Sequence, residues 1–448
     1  MGGTEWAAMA VLTAVWLLAG AWATPAGRGR IPWLLVGVVA LCVRFAASWF
    51  ILGNHGDSAG TDGLLYHKVA IRVMEQLRAG VPLWRVDYDY TWYTLLLGVQ
   101  YALAGANRYL GCYMNALYAV LCGQVLLRTG TAIGFSFRRA AITAGVWLFM
   151  PSLVIWTADT RKEGISLLFA MALWCLAVRL LKRRMETTGT NPEKHCRLDP
   201  CPVKSVRLVV SSSSPRRSRR RDAGAMAMIL AICLLLWVST LLRIYMLLPL
   251  GAGLLATFGL QWLWTRQRRL LLYTLVVMAT IGLFGVKSVL PRMENNHALA
   301  VERTAGGDED MTDEYAGVLG RLLERDIPRA INGFFTEPHP GSVEEISDLQ
   351  GQPLASAAVV AEMLLWYAAM ICAIFGMMDG TLRRDAFLIG LIVFIALYSG
   401  INILIAENIS DTYYRYRAFI VAPVFLFCNP LPAFRRWLPP RPREVADP

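Results

Sequence analysis

Long apolar runs alternate with short polar connections along this chain, and the runs have the length of membrane crossings. A spanning helix needs about 20 mostly apolar residues. Such stretches lie at roughly 6 to 23, 32 to 52, 109 to 127, 140 to 157, 164 to 182 and 224 to 242, and again at 245 to 264, 270 to 290, 357 to 378, 386 to 405 and 416 to 432. Another stretch, 90 to 106 (YTWYTLLLGVQYALAGA), is shorter and rich in Tyr and Trp. The pattern predicts an all-α polytopic integral membrane protein with about 11 transmembrane helices.

Composition agrees. Over 448 residues, 56% are hydrophobic and only 17% charged, against about 25% charged in soluble domains; the mean hydropathy is +0.45. This excludes a cytosolic enzyme, a DNA-binding protein and a small disulfide-built secreted domain.

The net charge of +12 changes the picture through its distribution. Residues 179 to 222 hold thirteen Lys or Arg against four acids, ending in SSSSPRRSRRRD, whereas residues 291 to 355 hold thirteen acids against five Arg. By the positive-inside rule the basic loop is cytoplasmic and the acidic loop translocated. The basic run reads as a topology signal in contact with membrane lipids rather than a nucleic-acid site, so no nucleic acid is expected as a partner.

Counting outward from the basic loop puts Arg128, Arg138 and Arg139, then Arg266 to Arg269, then Arg383 and Arg384, and finally the Arg/Pro-rich C-terminus on the cytoplasmic side. That parity leaves residues 53 to 89 outside only if 90 to 106 does not cross. It therefore reads as an interfacial or re-entrant helix, since Tyr and Trp favour the headgroup level. The first apolar segment ends in AWA before Thr24, but its start, MGGTEW, has no Lys or Arg, so it reads as a retained helix rather than a cleaved signal peptide.

Three parts follow. An N-terminal transmembrane module covers 1–290 and includes a first outer loop (53–107) and the basic cytoplasmic loop (183–223). An acidic extracytoplasmic loop covers 291–356, and a C-terminal transmembrane module with a basic tail covers 357–448. Most of the nine cysteines sit in apolar segments as core filler. Cys196 and Cys201, after His195, lack a second ligand pair at zinc spacing.

The unusual polar residues gather on the outer side. The first outer loop carries Asp57, Asp62, His67, Asp87 and Asp89. A short turn packs Asp159, Arg161, Lys162 and Glu163 between two apolar helices; Arg243 and Tyr245 interrupt the apolar run from 224 to 264; and ENISDTYYRYRAF brings Glu407, Asp411, Arg415 and Arg417. Ionisable groups at membrane depth are costly and usually face a protein interior or a water-filled cavity. Four clusters on one face point to an outward-opening site that binds an anion through Arg and handles protons through carboxylates.

Asp62 begins a helical stretch that has Tyr66, His67 and Ala70 at i+4, i+5 and i+8. It is either the N-cap of that helix or a general base. His67 reads as a hydrogen-bonding orienter, since a lone His supports a metal only weakly.

The pattern D-x-x-x-Y-H-x-x-A (Asp62, Tyr66, His67, Ala70), the aromatic segment ending in GAN before Arg108, and the stretch PSLVIWTADTRKEG together resemble the C-type membrane glycosyltransferase superfamily (GT-C), especially its protein-mannosyltransferase-like and exopolysaccharide-assembly members. LLRIYM, IPRAINGFFTEPHP and YRYRAFIVAP are similar to later blocks of such proteins. The resemblance implies a catalytic Asp in the first outer loop and a polyprenyl-phosphate-linked sugar donor at the cell membrane. It also implies inverting transfer to an acceptor hydroxyl on a glycan, lipid or protein, with the active site on the extracytoplasmic side. The catalytic Asp maps onto Asp62 with Asp57 as alternative, because the acidic pair or Asp-Ala usual near the base is here Thr61-Asp62-Gly63. The superfamily also usually places one helix before that loop, where this chain has two.

A lipid phosphate needs cations at the interface, for which Arg is suited by bidentate contact. The substrate-binding candidates are Tyr66, Arg161, Lys162, Glu163, Arg243, Tyr245, Arg415 and Arg417, with Arg243, Arg415 and Arg417 expected to converge. No resident cofactor is specified, and a divalent cation stays open. The competing class is a transporter or flippase for a lipid-linked or anionic solute, which would use the same cations without the carboxylate. Internal repeats, common in transporters, are not evident in the sequence.

Overall fold

The structure is a computed structural model and describes residues 3–23, 30–55, 62–88, 92–187, 215–283, 327–337, 353–378, 385–405 and 410–428. Its helices are α1 (Gly3–Ala23), α2 (Arg30–His55), α3 (Asp62–Arg78), α4 (Trp92–Ala104), α5 (Arg108–Ile133), α6 (Phe137–Phe149), α7 (Pro151–Thr157), α8 (Glu163–Thr187), α9 (Pro215–Leu242) and α10 (Leu247–Thr265). They continue as α11 (268–283), α12 (Ile327–Thr336), α13 (Pro353–Met378), α14 (Ala386–Ile405) and α15 (Ser410–Cys428). Among the described residues there is no strand.

Seven of these helices are long and apolar enough to cross a membrane, and the bent pair α6–α7 makes up to eight. Two shorter apolar helices, Glu5–Leu18 and Tyr416–Cys428, stand at other expected crossings, and α11 stands at another. The protein is a multi-pass membrane protein. Leu35, Val39, Leu230, Leu234, Leu364 and Phe375 are exposed on the outer surfaces of α2, α9 and α13, and an apolar surface of that extent suits lipid rather than water.

Local sequence sets the helix ends. Asn107 caps α5, its side chain accepting from Tyr109 N at 2.8 Å, and the same helix stops at Gly134 with φ 108°, a left-handed conformation open to Gly. Ser136 caps α6. The stretch expected as one helix over 140–157 is instead two, bent by 58° between Phe149 and Pro151. Pro151, at the first position of α7, has no N–H to continue α6 and its ring excludes the preceding turn.

Inside the bundle, Trp147, Trp156, Trp174, Phe258 and Phe394 are fully buried. α10 crosses α14 through Gly253, Thr257 and Gly390; a Cβ added at Gly390 would lie 1.9 Å from Thr257 Oγ1. Backbones meet that closely only where side chains are small.

α3 and α4 pack together as a helical hairpin. α3 runs from Asp62, a short 3-10 turn covers Leu83–Arg85, and α4 returns against α3, with Gly98 fitted beneath Val73. At 13 residues α4 is about 20 Å long, short of the ~30 Å hydrocarbon core.

Candidate functional site

Four helices, α3, α5, α7 and α8, meet around Asp159, in the turn between α7 and α8. Asp159 is 3% exposed. Its Oδ1 accepts from Arg108 Nη2, at the start of α5, at 3.2 Å and from Thr160 N at 2.7 Å; its Oδ2 accepts from Arg161 Nε at 3.0 Å. Its backbone oxygen accepts from Asn115 Nδ2 of α5 at 2.8 Å, and Asn115 Oδ1 accepts from Gly164 N of α8 at 2.8 Å. One Asn thus ties both sides of the turn to α5.

Burial alone would push the Asp159 carboxyl up, but the Arg161 and Arg108 charges, with hydrogen bonds from Arg161 and Thr160 N, hold it below the ordinary value. The site therefore contains a fixed carboxylate that gathers two guanidinium groups. Arg161 Cζ also stacks 4.6 Å from the Trp156 ring, an orientation that adds to its rigidity.

α3 seats its first turn on this centre. Thr160 Oγ1 donates to Gly63 O at 2.7 Å, so the residue after Asp62 touches the residue before Arg161. Asp62, the first residue of α3, is half-buried. Tyr66 is buried at the α3–α4 interface, edge-on to Tyr93 at 5.5 Å, and Lys162 Nζ lies 5.8 Å from its ring centre. His67 Nδ1 is 2.8 Å from Tyr101 OH on α4, a hydrogen bond between the two helices of the hairpin. Asp57 lies outside the described residues.

Glu163 opens α8 and pairs with Arg243 at the end of α9; both are buried. Arg243 also bonds the Tyr245 hydroxyl, and its Cζ lies 5.7 Å from the rings of Tyr245 and Tyr416 and 5.0 Å from that of Phe419. An aromatic wall of this kind shields the pair from solvent and strengthens its attraction. Glu163 and Lys162 link this pair to the Asp159 turn.

Arg417 goes elsewhere. It donates to Phe335 O of α12 at 3.3 Å and lies 5.3 Å over Trp366 of α13, while Tyr416 and Phe419 of the same helix face Arg243. The expected convergence of Arg243 and Arg417 does not occur, because residue 417 is about 100° round the helix from 416. The side chain of Arg415 lies outside the described residues, as do Glu407 and Asp411.

Sequence reasoning passed over three residues that the structure ties to this region. Arg108 enters the sequence pattern only as the residue that follows the GAN segment. Arg44 of α2 and Glu362 of α13 are lone ionisable residues in apolar spans, 0% and 4% exposed; their depth is the signal that would have found them. Among the described residues no three His, Cys, Asp or Glu side chains group to hold a metal ion. Comparison with family models, curated proteins and solved structures finds no match for this chain.

Proposed function

We propose that the protein is a membrane glycosyltransferase of the GT-C type, with about eleven crossings, that moves a sugar from a polyprenyl-phosphate donor to an acceptor hydroxyl on the extracytoplasmic side, in cell-surface glycan assembly. The observation that carries the reading is the seating of α3 on the Asp159 turn, Thr160 Oγ1 to Gly63 O at 2.7 Å. It supports the reading by bringing the first turn of α3, which Asp62 opens, against a turn bearing Arg161 and Lys162, with Arg108 on the same anchor.

In this reading Asp62 takes the proton of the acceptor hydroxyl as its oxygen attacks the anomeric carbon from the face opposite the phosphate. The bond from that carbon to the phosphate oxygen breaks, inverting the centre, and the leaving phosphate keeps the electron pair. Arg161, Lys162 and Arg108 supply donors fixed before the charge develops, which is where such groups lower a barrier most. Tyr66 and His67 orient the head of α3. Arg243, Glu163 and Tyr245 form the inner wall, and Arg417, turned to Phe335 and Trp366, stands outside it.

The test is transfer itself. Protein in lipid nanodiscs is given labelled polyprenyl-phosphate sugars and acceptor hydroxyls; transfer is expected, with Asp62→Asn lowering the rate about 100-fold to 10,000-fold while leaving the protein folded, since Asn also caps helices. Transfer that survives both Asp62→Asn and Asp57→Asn would remove the proposed base. Translocation of the lipid in vesicles, without transfer and indifferent to Asp62, would establish the flippase class instead.

A further inference from the structure

α7 is seven residues long (Pro151–Thr157), about 10 Å, and it leads directly into Asp159. Each end meets one buried ionisable side chain from a different span. At the N-terminal end, Glu362 of α13 accepts from Ser152 N at 2.5 Å and bonds the Ser152 hydroxyl. At the C-terminal end, Arg44 of α2 donates from Nε to Thr157 Oγ1 at 2.9 Å, and Ser48, one turn further along α2, donates to Ala158 O at 2.5 Å.

The signs match the helix. The N-terminal end of a helix carries partial positive charge and the C-terminal end partial negative charge, so a carboxyl group at Ser152 and a guanidinium at Thr157 both oppose the local dipole. The arrangement also answers the bend. Pro151 breaks the hydrogen-bond ladder from α6, leaving first-turn N–H groups in need of acceptors. Val154 N finds Met150 O at 2.9 Å and Ser152 N finds Glu362.

We propose that Glu362 and Arg44 are positioning residues that grip α7 at its two ends and so fix the Asp159–Arg161 turn against α5 and α3. Ionisable groups inside a membrane protein are costly, and here each is spent on a hydroxyl and a helix end two to seven residues from Asp159. With α7 held, the turn that gathers Arg108 and Arg161 is set before any ligand arrives. The grip is a property of the fold; only its consequence for an anionic substrate rests on the function proposed above.

Hydrogen–deuterium exchange of the full-length protein in nanodiscs tests it, reading the peptide over residues 150–163 against a control peptide in α10. Glu362→Leu and Arg44→Leu are each expected to speed exchange in 150–163 about 10-fold, the scale of one lost hydrogen bond, with α10 unchanged. Glu362→Gln keeps an acceptor oxygen for Ser152 N, and Arg44→Lys keeps the positive charge at Thr157; both are expected to stay near wild type. Exchange in 150–163 that is unchanged in both Leu variants, that rises equally in α10, or that is as fast in Glu362→Gln as in Glu362→Leu would overturn the proposal. A second arm measures binding of polyprenyl phosphate. Loosened exchange with unaltered phosphate affinity would leave the grip standing and count against the turn as the phosphate site.

Discussion

Gly63 opens α3 directly against Asp159: a Cβ added at Gly63 would lie 2.1 Å from Asp159 Oδ2. The carboxylate cannot swing aside, because Arg108, Arg161 and Thr160 N hold its two oxygens. Gly63→Ala is therefore expected to lift α3 off the turn and destabilise the protein by about 1–3 kcal/mol, the range for overpacked sites. Thermal unfolding in detergent or nanodiscs measures it; an unchanged Tm would contradict this seating.

Asp159→Asn keeps the shape of the side chain and removes its charge, leaving Arg108 and Arg161 without their shared counter-ion. Breaking a buried pair in this way costs about 3–5 kcal/mol. The pH dependence has a defined sign. Because folding lowers the Asp159 pKa, its contribution is complete above the ordinary value of 3.8 and is lost as pH falls through the lower native value. Acidification below about pH 4 is thus expected to cost wild type more stability than Asp159→Asn, as read from Tm against pH.

Arg243→Met alone should be among the most damaging single changes in the chain, since the Glu163 carboxylate would remain buried after losing the Arg243 guanidinium. The double variant Glu163→Gln/Arg243→Met is expected to recover most of the loss of about 3–5 kcal/mol, because an apolar or neutral pair avoids the desolvation that both ions incur. A double-mutant cycle on Tm or denaturation midpoint gives the coupling. Strict additivity of the two substitutions would show that the pair does not act as one.

Tyr101→Phe keeps the ring but removes the hydroxyl, which meets His67 Nδ1 at 2.8 Å and lies beside Gly111. A hydrogen bond of this type contributes about 0.5–1.5 kcal/mol. The expected outcome is a comparable small loss of stability and, if transfer occurs, a several-fold lower rate with donor KM little changed. The split between kcat and KM in the transfer assay checks it.

What the sequence determined by itself was local. Runs of about 20 apolar residues announce helices because each backbone group in lipid must find its partner within the segment. Asn107, Ser136 and Gly134 mark helix ends through bonds made within a few residues. Asp62 as a helix start, the shortness of α4 and the clustering of charge around 159–163 were readable for the same reason. Tertiary structure decided the pairings. That Asp159 takes Arg108 from 51 residues away, that Glu163 takes Arg243, that Arg417 turns to Trp366, and that Ser152 is met by Glu362 from α13 all depend on which helix faces pack together. Packing is set by the fit of the whole bundle at once, where a rotation of about 100° per residue separates one partner from another, and no one-dimensional pattern carries that information.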